Sequence, residues 1–260
     1  MAKKRKITLV MILCLMFVPF SSYAQGPKAI TVYINGFNQN ASQYGVEEMA
    51  PVRKGRTFLP LEQLEQSLAY SVSVDSDKQS VLIKKDGVQV AMTLGDKNYR
   101  VQKETKTMDV APFSEKNRIY VPARFVQEAF GAKVEWDGKN RVVIIAGNRG
   151  EEESKDSYTE LSKVGLKVIV PEEFNMVDLH GQYIVSWKEF MGQYSETPAT
   201  LFTIKKTSEP SENIGDRLLD YRNGNYVFAE FAKDRQYSRA IDEAIEGMLA
   251  SIRSIERKDD

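Results

Sequence analysis

Few side chains in this 260-residue chain could carry chemistry, and their spacing limits what that chemistry can be. The single histidine, His180, stands with Asp178 beside Gly181 in a segment that reads as a turn between strands, where an imidazole is ordinarily solvated. Asp216 and Asp220 have i, i+4 spacing in a stretch, Asp216 to Tyr221, that reads as a short helix and would put two carboxylates on one face. Such a pair serves hydrolysis only where a cleft raises one pKa, and no cleft is indicated here. Glu151, Glu152 and Glu153 would repel one another and lack the fixed oxygen cage that calcium requires. Arg56, Arg118 and Arg124 could clamp an anionic ligand, although pairing with the domain's own carboxylates or carbonyls is the commoner fate. Tyr183, Val185 and Trp187 project from one face of a strand, as either a sugar-stacking platform or a core-facing row. Phosphate-cradling glycine loops, serine-hydrolase elbows and zinc spacings are absent, so no catalytic, cofactor or metal residue is assigned.

The elements that would position these groups are written in a duplication. Residues 55–83 and 117–145 align without a gap, 62 positions apart: Arg56 with Arg118, Pro60 with Pro122, Val72 with Val134, Asp75 with Asp137, Val81 with Val143 and Ile83 with Ile145. Each copy predicts a short strand (Thr57 to Leu59; Ile119 to Val121), a proline in the first turn of a helix, where its missing N–H costs nothing, and then the helix itself. Leu61, Leu64 and Leu68 form the apolar stripe of one helix, and Phe125, Val126, Ala129 and Phe130 that of the other. Gly131 suits a left-handed stop, whereas Ala69 in the first copy predicts a looser end. Val72 and Val74, or Val134 and Trp136, then alternate into a turn at Asp75 or Asp137 and a second apolar strand, which is a hairpin signal. Trp136 reads as a core anchor beside the Asp137 turn. Further extended pairs precede each helix, Ile30 to Asn35 with a turn at Gly36, and Val88 to Leu94 with a turn at Gly95. The fold class is α+β.

The chain opens like an export signal. Lys3, Lys4, Arg5 and Lys6 form a charged head, Ile7 to Phe20 an apolar run too short for a comfortable membrane span, and Ser22, Tyr23 and Ala24 a small-residue cleavage site. Cys14, the one cysteine, lies inside that run, preceded by Met11, Ile12 and Leu13 in place of the small residue a bacterial lipoprotein signal sets before its cysteine. A mature chain beginning at Gln25 would have no thiol, hence no disulfide, thiolate site or cysteine nucleophile. Without the four basic residues of the leader, 32 Lys and Arg face 36 Asp and Glu, a formal charge of −4 that disfavours a nucleic-acid partner.

Four segments result: a signal peptide at 1–24, the duplicated domain at 27–146, an acidic linker at 147–160 without apolar periodicity, and a second antiparallel α/β domain at 161–256. In the last, Val164 to Val170, Gln182 to Lys188, Ala199 to Lys205 and Tyr226 to Phe231 read as strands. Ser238 to Ile255 reads as one long helix whose stripe, Ile241, Ala244, Ile245, Met248, Leu249, Ile252 and Ile255, buries against a sheet.

The motif Ile34-Asn35-Gly36, the segment Met108 to Pro112, then Arg118-Ile119-Tyr120-Val121-Pro122-Ala123-Arg124-Phe125-Val126 and Phe130 to Asp137 resemble the copper amine oxidase N-terminal, or stalk, domain over residues 29–146. The first copy departs from that pattern, with Glu62, Tyr70 and Val74 where the second has Arg124, Ala132 and Trp136. The resemblance implies an exported bacterial envelope protein and an appendage without a catalytic centre. Amine oxidase chemistry needs three histidines on copper and a self-oxidising tyrosine within Asn-Tyr followed by an acid. Here Asn98-Tyr99 and Asn225-Tyr226 are followed by Arg100 and Val227, and one histidine is present. Residues 161–256 resemble the PsbP-like fold in element order and in the strand that ends at Pro171, which implies docking in preference to catalysis.

The expectation is a secreted, non-catalytic envelope protein, extracellular or attached to the cell wall, that binds or scaffolds without cofactor and without membrane contact after signal cleavage. Its partner would be a wall polymer or another exported protein. Arg124, Tyr183 and Trp187 are the candidate ligand contacts; Arg56, Pro60, Asp75, Arg118, Pro122, Gly131, Trp136 and Asp137 are the structural motif. The competing readings are a wall-polymer hydrolase using carboxylates of the second domain, and a regulatory partner of another exported protein.

Overall fold

A computed structural model describes residues 29–39, 50–77, 79–147, 158–187, 200–213, 215–231 and 237–255. The expected leader, Cys14 and Glu151 to Glu153 lie outside the described residues. The first unit runs β1 (Thr31–Ile34), β2 (Phe37–Asn38), β3 (Val52–Arg53), β4 (Arg56–Pro60), α1 (Leu61–Leu68), β5 (Ser71–Asp75), β6 (Ser80–Lys85), β7 (Val88–Thr93), β8 (Asn98–Val101), β9 (Glu104–Thr107), β10 (Phe113–Glu115), β11 (Arg118–Pro122), α2 (Ala123–Phe130), β12 (Lys133–Asp137) and β13 (Val142–Ala146). The second runs β14 (Thr159–Leu161), β15 (Leu166–Val168), β16 (Phe174–Leu179), β17 (Gln182–Trp187), β18 (Thr200–Thr207), β19 (Arg217–Arg222), β20 (Asn225–Phe231), α3 (Arg239–Ala250) and β21 (Arg253–Ser254). Mixed sheets with few helices make the protein α+β.

The strands of the repeated motif meet face to face. β4 and β11 pair antiparallel with Leu59 opposite Val121, and Phe58 and Pro60 opposite Pro122 and Tyr120. Leu59 and Val121 are themselves repeat partners, so the register is symmetric about them. β3 and β10 flank the pair in matching registers. From this sheet the chain enters α1 and α2 through Pro60 and Pro122, which occupy the N-cap in extended conformation and not the first helical turn as expected. Here proline's fixed φ suits the last strand residue, and its absent N–H leaves no donor orphaned. Leu61, Leu64 and Leu68 from α1 join Phe125, Val126 and Ala129 from α2 in one core with Val81, Ile83, Val143 and Ile145.

The two helices end alike. Gly131 takes a left-handed φ of 70°, and its N–H donates to Gln127 O. Ala69 takes φ 54°, ψ 42°, so the first copy holds the same stop with a residue for which it is strained.

The hairpins after the helices share a register but not a destination. β5–β6 continues through β7, β8 and β9 as a five-stranded sheet, whereas β12–β13 joins β1 in parallel and becomes one edge of a nine-stranded sheet ordered β12-β13-β1-β2-β19-β20-β18-β17-β16. That sheet runs from the first unit into the second. On the second unit's side it buries Phe174, Val185, Phe202, Ile204 and Ala229 against Ile241, Ile245, Met248 and Leu249 of α3. A small sheet, β14-β15-β21, completes that core.

Two elements differ from expectation. Asp216 to Tyr221 is not helical: Arg217–Arg222 is strand β19, paired with β20 through a register shift between Leu218 and Asp220. The long helix stops at Ala250, where the Ser251 hydroxyl donates to Met248 O, and Arg253–Ser254 turns back as β21 beside β15.

The units are joined where β2 meets β19. Asn35 and Gly36 form the hairpin turn between β1 and β2 with φ 51° and 85°, and Gly36 O accepts from Leu218 N at 2.9 Å. A Cβ on Gly36 would lie 2.3 Å from Leu218 O. Gly36→Ala is therefore expected to lower stability by more than about 2 kcal/mol, combining left-handed strain with the clash. Gly131→Ala, with no atom within 4 Å of the new Cβ, should cost only about 1 kcal/mol. Ala69→Gly should stabilise by up to about 1 kcal/mol. Urea unfolding of the three variants tests this ordering, and equal losses for Gly36→Ala and Gly131→Ala would contradict the close approach.

Candidate functional site

Asp137 is the most constrained polar group in the described structure. It closes β12 and accepts from Lys139 N at 3.0 Å and Asn140 N at 3.2 Å, the short-range turn its sequence predicts. It also takes Asn140 Nδ2 at 3.0 Å and, from the second unit, the Tyr226 hydroxyl at 2.5 Å. Asn140 Nδ2 reaches on to Ser208 O at 3.2 Å, and Lys139 pairs with Glu209 at 3.1 Å. Burial alone would raise the Asp137 carboxyl, but hydrogen bonds from Tyr226, Asn140 and Lys139 outweigh it and hold the group below the usual aspartate range. Burial, then the bond to Asp137, push the Tyr226 hydroxyl far upward. Around this pair Tyr33, Val142 and Ile144 pack on Leu218, Tyr226 and Phe228. Tyr226 was legible as half of an Asn-Tyr pair and as the start of a strand, Tyr226 to Phe231; its apolar neighbours Val227 and Phe228 were the available sign of burial.

The arginines sort into pairs. Arg118 Nη1 donates to Glu62 at 2.6 Å, and Arg56 pairs with Asp109. Arg56, with Arg124 beyond it, holds the Asp109 carboxyl low. Arg124 is exposed on the first turn of α2 and makes no hydrogen bond or ion pair among the described residues. It lines a groove of about 440 Å³ together with Arg56, Gln127, Glu135, Trp136 and Arg141. Trp136 is not the expected core anchor: it is 50% exposed, as Val74 is 49% exposed at the equivalent position. Asp75, the counterpart turn residue of Asp137, is half-buried.

Of the other candidates, Tyr183, Asp216 and Asp220 are occupied in folding. Tyr183 is 6% exposed in the second core, and its hydroxyl accepts from Lys163 N, so its ring is closed to a ligand. Trp187 ends β17, and its side chain lies outside the described residues. Asp216 is buried and accepts from Ser211 Oγ, Asn213 Nδ2 and Phe231 N; Asp220 pairs with Arg222 at 2.9 Å. Asp216 precedes β19 and Asp220 lies within it, so the two do not share a helical face. His180 takes φ 53° in the exposed β16–β17 turn with Gly181. A second cleft of about 450 Å³ at the junction of the units carries Arg217 over the Phe37 ring at 3.2 Å and bonded to Glu246 at 2.9 Å.

Residues 38–145 match the copper amine oxidase N-terminal domain family. Over those residues the chain is similar to a copper amine oxidase N-terminal domain. No curated protein matches the sequence. The matched copper amine oxidase N-terminal domain includes β4, α1 and β5–β6, β11, α2 and β12–β13, and its far end is the Asp137 hairpin and β13. Its donor set does not suit copper: the one histidine lies outside the match, and no three His, Cys, Asp or Glu side chains cluster among the described residues.

Because the Asp137 carboxyl is depressed in the folded state, its contribution is complete above the unfolded value near 4 and is lost as pH falls through the folded value. Tyr226→Phe is expected to cost about 1.5–3 kcal/mol at neutral pH, since it removes a donor from a buried charge. Urea midpoints from pH 7 down to 2.5 should converge for parent and variant, and a gap that is the same at both ends would show that Asp137 is not the titrating partner.

Proposed function

We propose that this protein is a secreted, non-catalytic envelope component in which a duplicated stalk-type domain and a second α/β unit act together as a binding or scaffolding module at the cell wall. The observation that carries the reading is the match of residues 38–145 to a domain of the stalk type. The symmetric β4–β11 register supports the duplication. The charged head, apolar run and small-residue end of residues 1–24 support export. The hydrolase alternative draws on Asp216 and Asp220, and their engagement in structural hydrogen bonds and an ion pair favours the binding reading over it. Incubation of the mature protein with isolated cell walls or matrix polysaccharide should retain it in the pellet well above a control protein of equal size. No retention on either material would count against a wall role.

A further inference from the structure

We propose that the groove between β12, the start of α2 and the β3–β4 hairpin binds a carboxylate-bearing saccharide, with the Trp136 indole against the sugar ring and Arg124 at the carboxylate. The proposal rests on the wall-binding reading above and narrows its ligand.

The first ground is the difference between the two copies at equivalent positions. Glu62 at the start of α1, in the first copy, pairs with Arg118 of the second copy at 2.6 Å. The symmetry-related positions are Arg124 of the second copy and Arg56 of the first, two cations where the other site has an ion pair. Asp109 takes Arg56, which leaves the Arg124 guanidinium exposed and without a hydrogen-bonded partner among the described residues. The acid in the lining, Glu135, is paired with Lys133 at 2.9 Å. Arginine's planar fork matches a carboxylate in two parallel bonds.

The second ground is Trp136. Its position faces outward in both hairpins, and the first copy fills it with valine, so packing does not call for an indole there. Yet the ring is seated: a Cβ on Gly138 would come within 3.2 Å of the Trp136 Nε1, so the turn after β12 supports the indole edge at close range. A large aromatic face left half in water beside the exposed Arg124 guanidinium suits a ligand with one apolar face and one anionic group. A uronic-acid residue has both. The groove, at about 440 Å³, is of the size of small-ligand sites. A polyphosphate or nucleic acid fits less well, because the chain has a formal net charge of +0.

The test is isothermal titration of the intact protein with galacturonate trimer, its methyl-esterified neutral counterpart and a glycerol-phosphate oligomer. Binding of the acidic trimer is expected, with Trp136→Ala, Arg124→Glu and esterification each weakening it about tenfold or more. Arg124→Gln removes the charge without setting an acid beside Asp109, and because Arg124 makes no hydrogen bond or ion pair among the described residues its thermal midpoint should equal the parent's; it should weaken binding as Arg124→Glu does, so that lost binding cannot be laid to unfolding. Absence of trimer binding, binding unaffected by the substitutions, or equal binding of the ester or the glycerol-phosphate oligomer would overturn the site. Wall retention without trimer binding would sink this site and leave the wall role standing; trimer binding without wall retention would do the reverse.

Discussion

The buried carboxylate of Asp137 is the constraint on which the arrangement of the two units depends. An ionised group at 5% exposure is tolerable only if its lone pairs are filled, and the first unit alone fills them from Lys139 and Asn140. The Tyr226 hydroxyl comes from the second unit, and it brings with it an apolar layer of Phe228 and Leu218 over Tyr33, Val142 and Ile144. Separation of the units would expose that layer to water and remove the strongest donor from the charge. The backbone contact at Gly36 fixes the same junction from the other side of β1.

Within the first unit the copies have kept their cores and divided their surfaces. Leu59 and Val121, the helical stripes and the hairpin registers are common to both, because each fills a position that the internal symmetry makes equivalent. What differs lies where the symmetry is broken by the second unit: β12–β13 is covered on one side and carries the buried acid, while β5–β6 leads to β9, whose four residues are all exposed. A charged, exposed edge of that kind discourages pairing with another chain.

The local devices could be read from the sequence because they act over a few residues. Strand, amphipathic helix, Gly131 stop and Asp137 turn each need only their neighbours and appear in place, while the proline stands at the N-cap, one position before the helix. Asp216 to Tyr221 misled because the bulge between Leu218 and Asp220 breaks period-two alternation and leaves two acids at helical spacing. The end of α3 was hidden for a related reason: Ile252, beyond the helix, is as buried as the helical stripe, so apolar spacing runs on after the hydrogen bonds stop. Pairing of β1 with β13 joins residues more than a hundred positions apart, and no local pattern announces it. Of the groove, Arg124 was visible as a candidate; the outward setting of Trp136 could be inferred only from Val74 standing at its repeat position.

A sheet shared by both units has a mechanical meaning. Nine strands spaced about 4.8 Å apart place the Trp136 edge and the β16 edge roughly 38 Å from one another, along a continuous ladder of backbone bonds. The crossing between the units is its narrowest point, since β2 is two residues long and meets β19 in the single register pair Phe37 with Arg217, so that continuity of the ladder depends on the turn at Gly36 that delivers β2 there.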